Sequence, residues 1–107
     1  MQRDLETIFK TLADPSRRGI FEDVVRSGEV SVSRLVAAGS ISQPAVSQHL
    51  RALRAAGLVE ERKQGRFILY RPVDRALTPL IEWTEIYGTF WAERFTLLKD
   101  VLKEIEP

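Results

Sequence analysis

Cysteine is absent from the 107-residue chain, which removes disulfides, thiolate nucleophiles, sulfur metal sites and thiol redox sensing together. Histidine occurs once, at His49, with no Ser and Asp arrangement nearby that it could activate as a triad. No glycine-rich loop runs into a helix in a phosphate-cradling pattern. Glu60 and Glu61 fall next to each other on an expected strand and point to opposite faces, so they cannot work as a paired acid and base. Enzymatic chemistry therefore has no residues to stand on. No apolar run reaches the roughly 18 residues needed to span a bilayer, and the opening MQRDLETIFK lacks the apolar core of a secretory signal. Those absences predict a cytoplasmic protein with no membrane partner. A last absence is local: no acidic residue lies anywhere between Gln43 and Ala56.

What is present reads as one soluble domain, 1–107, with 44% hydrophobic and 29% charged residues. The net charge of +1 conceals an uneven distribution. Residues 1–41 carry six basic and six acidic side chains, and 82–107 carry three basic against six acidic. Residues 42–72 carry six basic (Arg51, Arg54, Arg62, Lys63, Arg66, Arg71) against two acidic (Glu60, Glu61). A charge cluster is often only a solvated face, but here it coincides with the acid-free stretch, as a nucleic-acid footprint on a nearly neutral protein would.

That stretch, SQPAVSQHLRALRAAG from Ser42 to Gly57, is predicted to be a helix. Val46, Leu50 and Leu53 fall on one stripe at i, i+4 and i+7, while Pro44, Ser47, Gln48 and Arg51 lie on the other side. Ser42 is the N-cap, Ile41 can staple against Val46, Pro44 sits in the first turn, and Gly57 closes the helix. The outer face offers Ser, Gln and Arg, which bond base edges and phosphates and do not repel a polyanion.

Upstream, Leu5, Ile8, Phe9 and Leu12 mark an amphipathic helix over about residues 3–13. Asp14 as N-cap and Pro15 at N1 open a second helix that runs to about Ser27, with Ile20, Phe21, Val24 and Val25 as its buried stripe and Gly28 as terminator. Arg17 and Arg18 flank the stripe and could pair with Asp14, Glu22 or a phosphate, surface ion pairing being the default. Ser31 caps a short third helix, VSRLVAA, with Val30 and Leu35 as a staple, and only Gly39, Ser40 and Ile41 separate it from the Ser42 cap. Helix, tight turn and helix in this order is the helix-turn-helix arrangement, whose second helix enters the major groove.

After Gly57, the segments Leu58–Lys63 and Arg66–Arg71 carry strand-type residues and are joined by Gln64 and Gly65, a β-hairpin signal. Lys63 and Arg66 at its tip make a wing suited to a phosphate backbone or an adjacent minor groove; the plainer account is a solvated turn whose cations discourage edge pairing. Thr78 and Pro79 then open a last helix to about Glu104. Leu80, Tyr87, Trp91, Phe95, Leu98, Leu102 and Ile105 form a continuous seam on it, with Trp83, Ile86 and Phe90 on a second stripe. So small a body cannot cover both, which predicts homodimerisation; a cofactor or lipid box lined by Trp83, Tyr87 and Trp91 is the competing account.

Together LADPSRRGIFEDV, SVSRLVAAGSISQPAVSQHLRALRAAGLVEER and GRFILYRP resemble the ArsR family of bacterial winged-helix transcriptional regulators, from about Leu5 to Leu102. The last helix, with Trp83, Tyr87, Phe90 and Trp91, is similar to a subgroup of that family without metal-sensing cysteines. The resemblance implies a mainly α fold with a small β-hairpin wing, a winged helix-turn-helix of element order ααααββα. Its N- and C-terminal helices would form a symmetric dimer interface through Leu5, Ile8, Phe9, Leu12, Trp83, Tyr87, Phe90, Trp91, Phe95 and Leu98. It also implies operator binding that blocks transcription and is relieved by an effector.

The family's recognition-helix motif matches at Ser42, Gln43, Pro44, Ala45, Ser47, Gln48 and His49, and its wing at Lys63, Gln64, Gly65 and Arg66. Gln43 and Gln48 are the expected base readers, since a carboxamide pairs bidentately with adenine N6 and N7; Ser42 and Ser47 suit phosphates or base edges, and Arg51 and Arg54 suit phosphate or guanine. His49 borders the apolar stripe, which favours packing and hydrogen bonding inside the motif over a DNA contact. Many members sense metals through a cysteine pair in the third helix or through His and carboxylates on the last. Here the third helix reads VSRLVAA and the last has no His, so no metal or other cofactor is expected; the effector could be a small molecule at the aromatic seam, a protein, or none. The alternative from another class is a winged-helix module that mediates protein–protein interaction.

Overall fold

The computed structural model describes residues 2–39 and 41–105. Ser40, in the turn expected before the fourth helix, lies outside the described residues. The elements run α1 (Gln2–Leu12), α2 (Pro15–Ser27), β1 (Val30–Ser31), α3 (Val32–Ala38), α4 (Gln43–Ala55), β2 (Val59–Gln64), β3 (Phe67–Pro72) and α5 (Thr78–Ile105). The fold is mainly helical with a small antiparallel sheet, a winged helix-turn-helix. The chain forms two compact units, Met1–Leu77 and Thr78–Pro107.

Local chemistry sets the ends of the helices in the first unit. The Asp14 carboxylate accepts from the backbone N–H of Ser16 at 2.9 Å and of Arg17 at 3.2 Å, satisfying two of the donors that a helix start leaves orphaned. Gly28 ends α2 at φ 77°, a left-handed conformation that costs glycine nothing. Ser31 Oγ accepts from Arg34 N at 3.2 Å to start α3. At the end of α4, Leu58 N–H reaches Leu53 O and Gly57 N–H reaches Arg54 O, both at 3.0 Å, with Gly57 at φ 76°. This is the Schellman pattern, and its accompanying apolar contact is supplied by Leu53 and Leu58, both fully buried.

Three helices and one sheet face share the core: Ile20, Phe21 and Val24 of α2, Leu35 of α3, Val46, Leu50 and Leu53 of α4, and Val30, Leu58 and Val59. Ile8 of α1 joins them at 3% exposure, while Leu5 and Leu12 are half-buried and Phe9 is exposed. The expected α2 stripe loses Val25, which is 49% exposed. Val25 lies a further 100° round the helix from Val24 and passes beyond the arc that α2 turns to the core. Arg18 makes no ion pair among the described residues; its Nη1 donates to Leu12 O at 2.7 Å and caps the end of α1.

The sheet departs from the expected two-stranded hairpin in two ways. It has three strands in the order β1-β3-β2, because Val30 and Ser31 pair with Tyr70 and Leu69. A two-residue strand is too short to show a period. The hairpin register also moves by one: Gln64 pairs with Phe67, so the turn residues are Gly65 and Arg66. Gly65 has φ 60° and Arg66 does not have positive φ, the pattern of a type II′ turn, which needs its glycine first. The expected turn would have asked Gln64 to take part in a primed turn at a steric cost.

The described part of the second unit is a single 28-residue helix, about 42 Å long at 1.5 Å per residue. Every residue of α5 from 81 to 105 is exposed. Trp83 and Tyr87 meet with ring centroids 5.2 Å apart, and Phe90 and Trp91 edge-to-face at 5.1 Å. Among the described residues no helix is long and apolar enough to cross a membrane.

The α2 cap makes stability depend on pH. Backbone hydrogen bonding from Arg17 leads the causes that hold the Asp14 carboxyl below its ordinary 3.8, with the Arg17 and His49 charges adding to it. A depressed folded-state value means that the stabilisation is present above the unfolded value and lost as pH falls through the folded one. Asp14→Ala is therefore expected to lower Tm at neutral pH, with the gap to the native protein closing below about pH 4 in calorimetry.

Candidate nucleic-acid interface

Burial of Val46, Leu50 and Leu53 fixes the roll of α4, so the opposite face is set without further contacts. Gln43, Pro44, Gln48 and Arg51 are exposed there, Ala45 and Ser47 half-buried at its edges. Ser42 Oγ accepts from Ala45 N at 3.4 Å, a long capping bond that leaves the hydroxyl proton free to donate outward. Gln43, Ser47 and Arg54 form the edge nearest the wing, since spacings of four and seven return to one side of a helix.

His49 sits on the far edge, half-buried, with its Nδ1 enclosed and without a hydrogen-bond partner among the described residues. Packing inside the motif is what its position favours; the accompanying hydrogen bond is missing. Arg17 Nε is enclosed and unpartnered in the same way.

The wing sorts its side chains by strand alternation. Val59, Glu61, Lys63, Ile68 and Tyr70 share one sheet face, and Glu60, Arg62, Gln64, Phe67 and Arg71 the other. Lys63 and Gln64, both expected at the tip, therefore point to opposite faces. Gln64 is drawn toward Arg62, whose Nη2 donates to its Oε1 at 3.5 Å. Arg66 occupies the turn itself.

Ion pairing edits the basic footprint. Arg62 grips Glu29 with two bonds, Nε to Oε2 at 2.9 Å and Nη2 to Oε1 at 2.5 Å. Arg71 pairs with its cross-strand neighbour Glu60 at 2.8 Å, and Arg54 with Glu61 at 3.0 Å. The Glu29 carboxyl is held below its ordinary value by the Arg62 hydrogen bonds. Arg51, Lys63 and Arg66 make no ion pair among the described residues. The six cations of residues 42–72 thus reduce to three unneutralised ones, one on the outer face of α4 and two on the wing.

Between α4 and the wing lies a cleft of about 350 Å³ lined by Ser31, Val32, Ser33, Gln43, Ser47, Arg66, Phe67, Ile68 and Tyr70. It joins the start of α3 to the two expected reading elements and opens outward with hydroxyls, an amide and a guanidinium. Ser31, Ser33 and Tyr70 were not expected in it. Ser31 had a role already as a cap, and Tyr70 reads in the sequence only as a strand-type residue.

Among the described residues no group of His, Asp and Glu side chains is placed to hold a metal ion. With helix-turn-helix geometry, a wing and an acid-free outward face on one side of the first unit, the structure defines a winged helix-turn-helix protein.

The similarities agree with it. A family model described as a helix-turn-helix domain matches residues 12–62. The chain is 30% identical over 79 residues to the transcriptional repressor SdpR of Bacillus subtilis, covering 74% of this chain and 87% of that protein. It is 41% identical over 64 residues to an arsenic resistance transcriptional regulator of Pseudomonas putida, covering 60% of this chain; it spans about half the length of that relative, 50%. The structure superposes on an ArsR-like transcriptional regulator from Rhodococcus sp. RHA1 with a TM-score of 0.73 at 33% identity, over 94% of this chain and 93% of the other. The chain belongs to the ArsR family of helix-turn-helix transcriptional regulators, a family of regulators and not of enzymes.

The pairing pattern separates the wing cations into paired and unpaired ones. Arg66→Ala is expected to flatten the log–log salt dependence of DNA affinity by about 0.9, the loss of one phosphate contact, and Arg71→Ala to change it much less. Fluorescence anisotropy across a salt series on one duplex distinguishes the two.

Proposed function

We propose that the protein is a homodimeric repressor that binds a palindromic DNA operator, with α4 of each copy in a major groove and the wing over the flanking backbone. The observation that carries this reading is the outer face of α4, which offers Gln43, Gln48 and Arg51 with no carboxylate and is flanked by the unpaired Lys63 and Arg66. Gln43 and Gln48 read bases, Arg51 takes phosphate or guanine, and Ser42, Ser47, Lys63 and Arg66 fix the register on the backbone. Repression is the activity given in the name of the Bacillus subtilis relative.

Two supports favour a dimer. The length of α5 exposes Ile86 at 66%, Trp91 at 65% and Phe95 at 58%, along with Trp83, Tyr87, Phe90 and Leu98, more contiguous apolar surface than a monomer ordinarily leaves in water. Gly88, Trp91, Ala92, Arg94, Phe95 and Leu98 also outline a concavity of about 550 Å³ on α5 itself. A glycine in mid-helix costs about 1 kcal/mol against alanine, and here it opens a notch into which a knob from a second helix can pack. Of the α1 residues, Phe9 with Leu5 and Leu12 would extend the interface, Ile8 being committed to the core. Two copies related by a twofold axis then demand a palindrome with half-sites about one helical turn apart.

Footprinting of the region upstream of the chain's own gene tests the operator. Gln48→Ala should weaken operator binding by about 1–3 kcal/mol and random-DNA binding hardly at all; equal losses on both would remove direct base readout. Trp91→Glu should convert the protein to monomers in light scattering, and a dimer that survives it would place the interface off this face.

A further inference from the structure

We infer that Glu61 restrains DNA affinity by holding Arg54, the last cation on the wing-facing edge of α4, in an ion pair that keeps it from the phosphate backbone. The inference rests on the DNA-binding reading above and adds a regulating contact to that surface.

Arg54 follows Gln43 and Ser47 on one edge of α4, and those two residues line the cleft with Arg66. Its position therefore points it along the track of the reading surface. Instead of standing free like Arg51, it brings Nη1 to 3.0 Å from Glu61 Oε1. The second carboxylate oxygen accepts from Tyr70 Oη at 3.2 Å, and Glu61 and Tyr70 are directly paired across β2 and β3. The carboxylate is thus fixed from the sheet side and cannot follow the guanidinium outward. It is also the more enclosed partner, with 26% of its side chain exposed against 56% for Arg54. One end of the pair is anchored and the other is held only by the carboxylate and more exposed, which is the geometry of a tether on the arginine.

Among the described residues this is the one ion pair that includes a residue of α4. The pairs of Arg62 and Arg71 involve side chains of the opposite sheet face, where they neutralise charge away from the helix. Half-exposed pairs add little to folding, so stability is a poor account of an acid placed against the reading helix. Its effect on DNA binding is larger. A neutralised arginine releases no counterion, whereas a free one would neutralise one phosphate and steepen the log–log salt slope by about 0.9. Phosphate contacts strengthen all sequences alike. Withholding one lowers non-specific binding and leaves a larger share of the affinity to Gln43 and Gln48.

The test measures the salt dependence of binding to a random-sequence DNA duplex for four proteins: native, Arg54→Ala, Glu61→Gln and the double variant. Native and Arg54→Ala should share one slope, Glu61→Gln should be steeper by about 0.9, and the double variant should return to the native slope. An unchanged slope in Glu61→Gln overturns the inference. So does a slope that stays steep in the double variant, because Glu61 would then act by repulsion alone. A flatter slope in Arg54→Ala also overturns it, since Arg54 would already be on DNA. If Glu61→Gln does not fold, Tyr70→Phe, which removes only the bond anchoring the carboxylate, should steepen the slope by part of that amount, and no change sinks the idea. Native protein that fails to bind any duplex at low salt removes the DNA-binding reading and this inference together; native binding with no response to Glu61→Gln removes this inference alone.

Discussion

The roll of α4 about its own axis is the constraint on which the rest of the surface depends. Val46, Leu50 and Leu53 are buried to 1% exposure or less, and burying each such side chain is worth about 1.5–3 kcal/mol. Turning the helix by one residue would exchange those side chains for the hydroxyl of Ser47 and the guanidinia of Arg51 and Arg54 in the core, where an unsatisfied polar group costs as much again. No contact on the outer face is needed to aim Gln48 or Arg51. The Leu53–Leu58 closure at the helix end matters for the same reason, since it fixes where α4 stops and so where β2 begins relative to it.

Charge is arranged on this frame by subtraction. Six cations in residues 42–72 suggest a broad basic patch, yet Glu29, Glu60 and Glu61 neutralise three of them. The three that remain lie on the outer face of α4 and at or beside the wing turn. For a protein that must find a few sites among many, this matters more than the net charge. Each free cation on the backbone tightens binding everywhere, while the discrimination comes from base contacts worth about 1–3 kcal/mol apiece. A sparse set of cations keeps that discrimination from being buried under electrostatic attraction.

Signals that act within a few residues were legible in the sequence. Asp14 followed by Pro15, Ser31 and Ser42 each announce a helix start through one side-chain oxygen, and each accepts the backbone N–H expected of a cap. The α4 stripe was legible because spacings of three and four admit only one buried face. What was not legible depends on partners distant in sequence. Val30 and Ser31 become a strand only because Tyr70 and Leu69 arrive beside them, and Glu29 meets Arg62 across thirty-three positions. The turn register was missed by one residue because a Gly in a two-residue hairpin suits either position, depending on turn type. That slip matters at the site, since it moves Gln64 into the strand and leaves Arg66 alone in the turn. Val25 was misjudged because the width of a buried arc depends on what covers it.

The proposed reading and association surfaces fall in separate stretches of the chain. The unit Met1–Leu77 holds the core, the reading helix and the wing, and its apolar side chains are largely spent on itself. The described part of the unit Thr78–Pro107 is one helix, Thr78–Ile105, with no buried residue, rich in Trp, Tyr, Phe and Leu and free of any expected reading residue. Arg94 stacks its guanidinium 3.3 Å above the Phe90 ring, and Lys99 lies 5.1 Å from that of Phe95, so these two cations of α5 rest on aromatic faces. Such a helix gains stability from packing, not from propensity, because isolated helices are marginal in water. With the proposed second copy packed on α5, association and the order of α5 would be one equilibrium, and the spacing between two copies of α4 would inherit its precision from it. A ligand that altered the packing of α5 could change DNA binding without touching α4, whereas one seated in the cleft by Arg66 would compete for the reading surface itself.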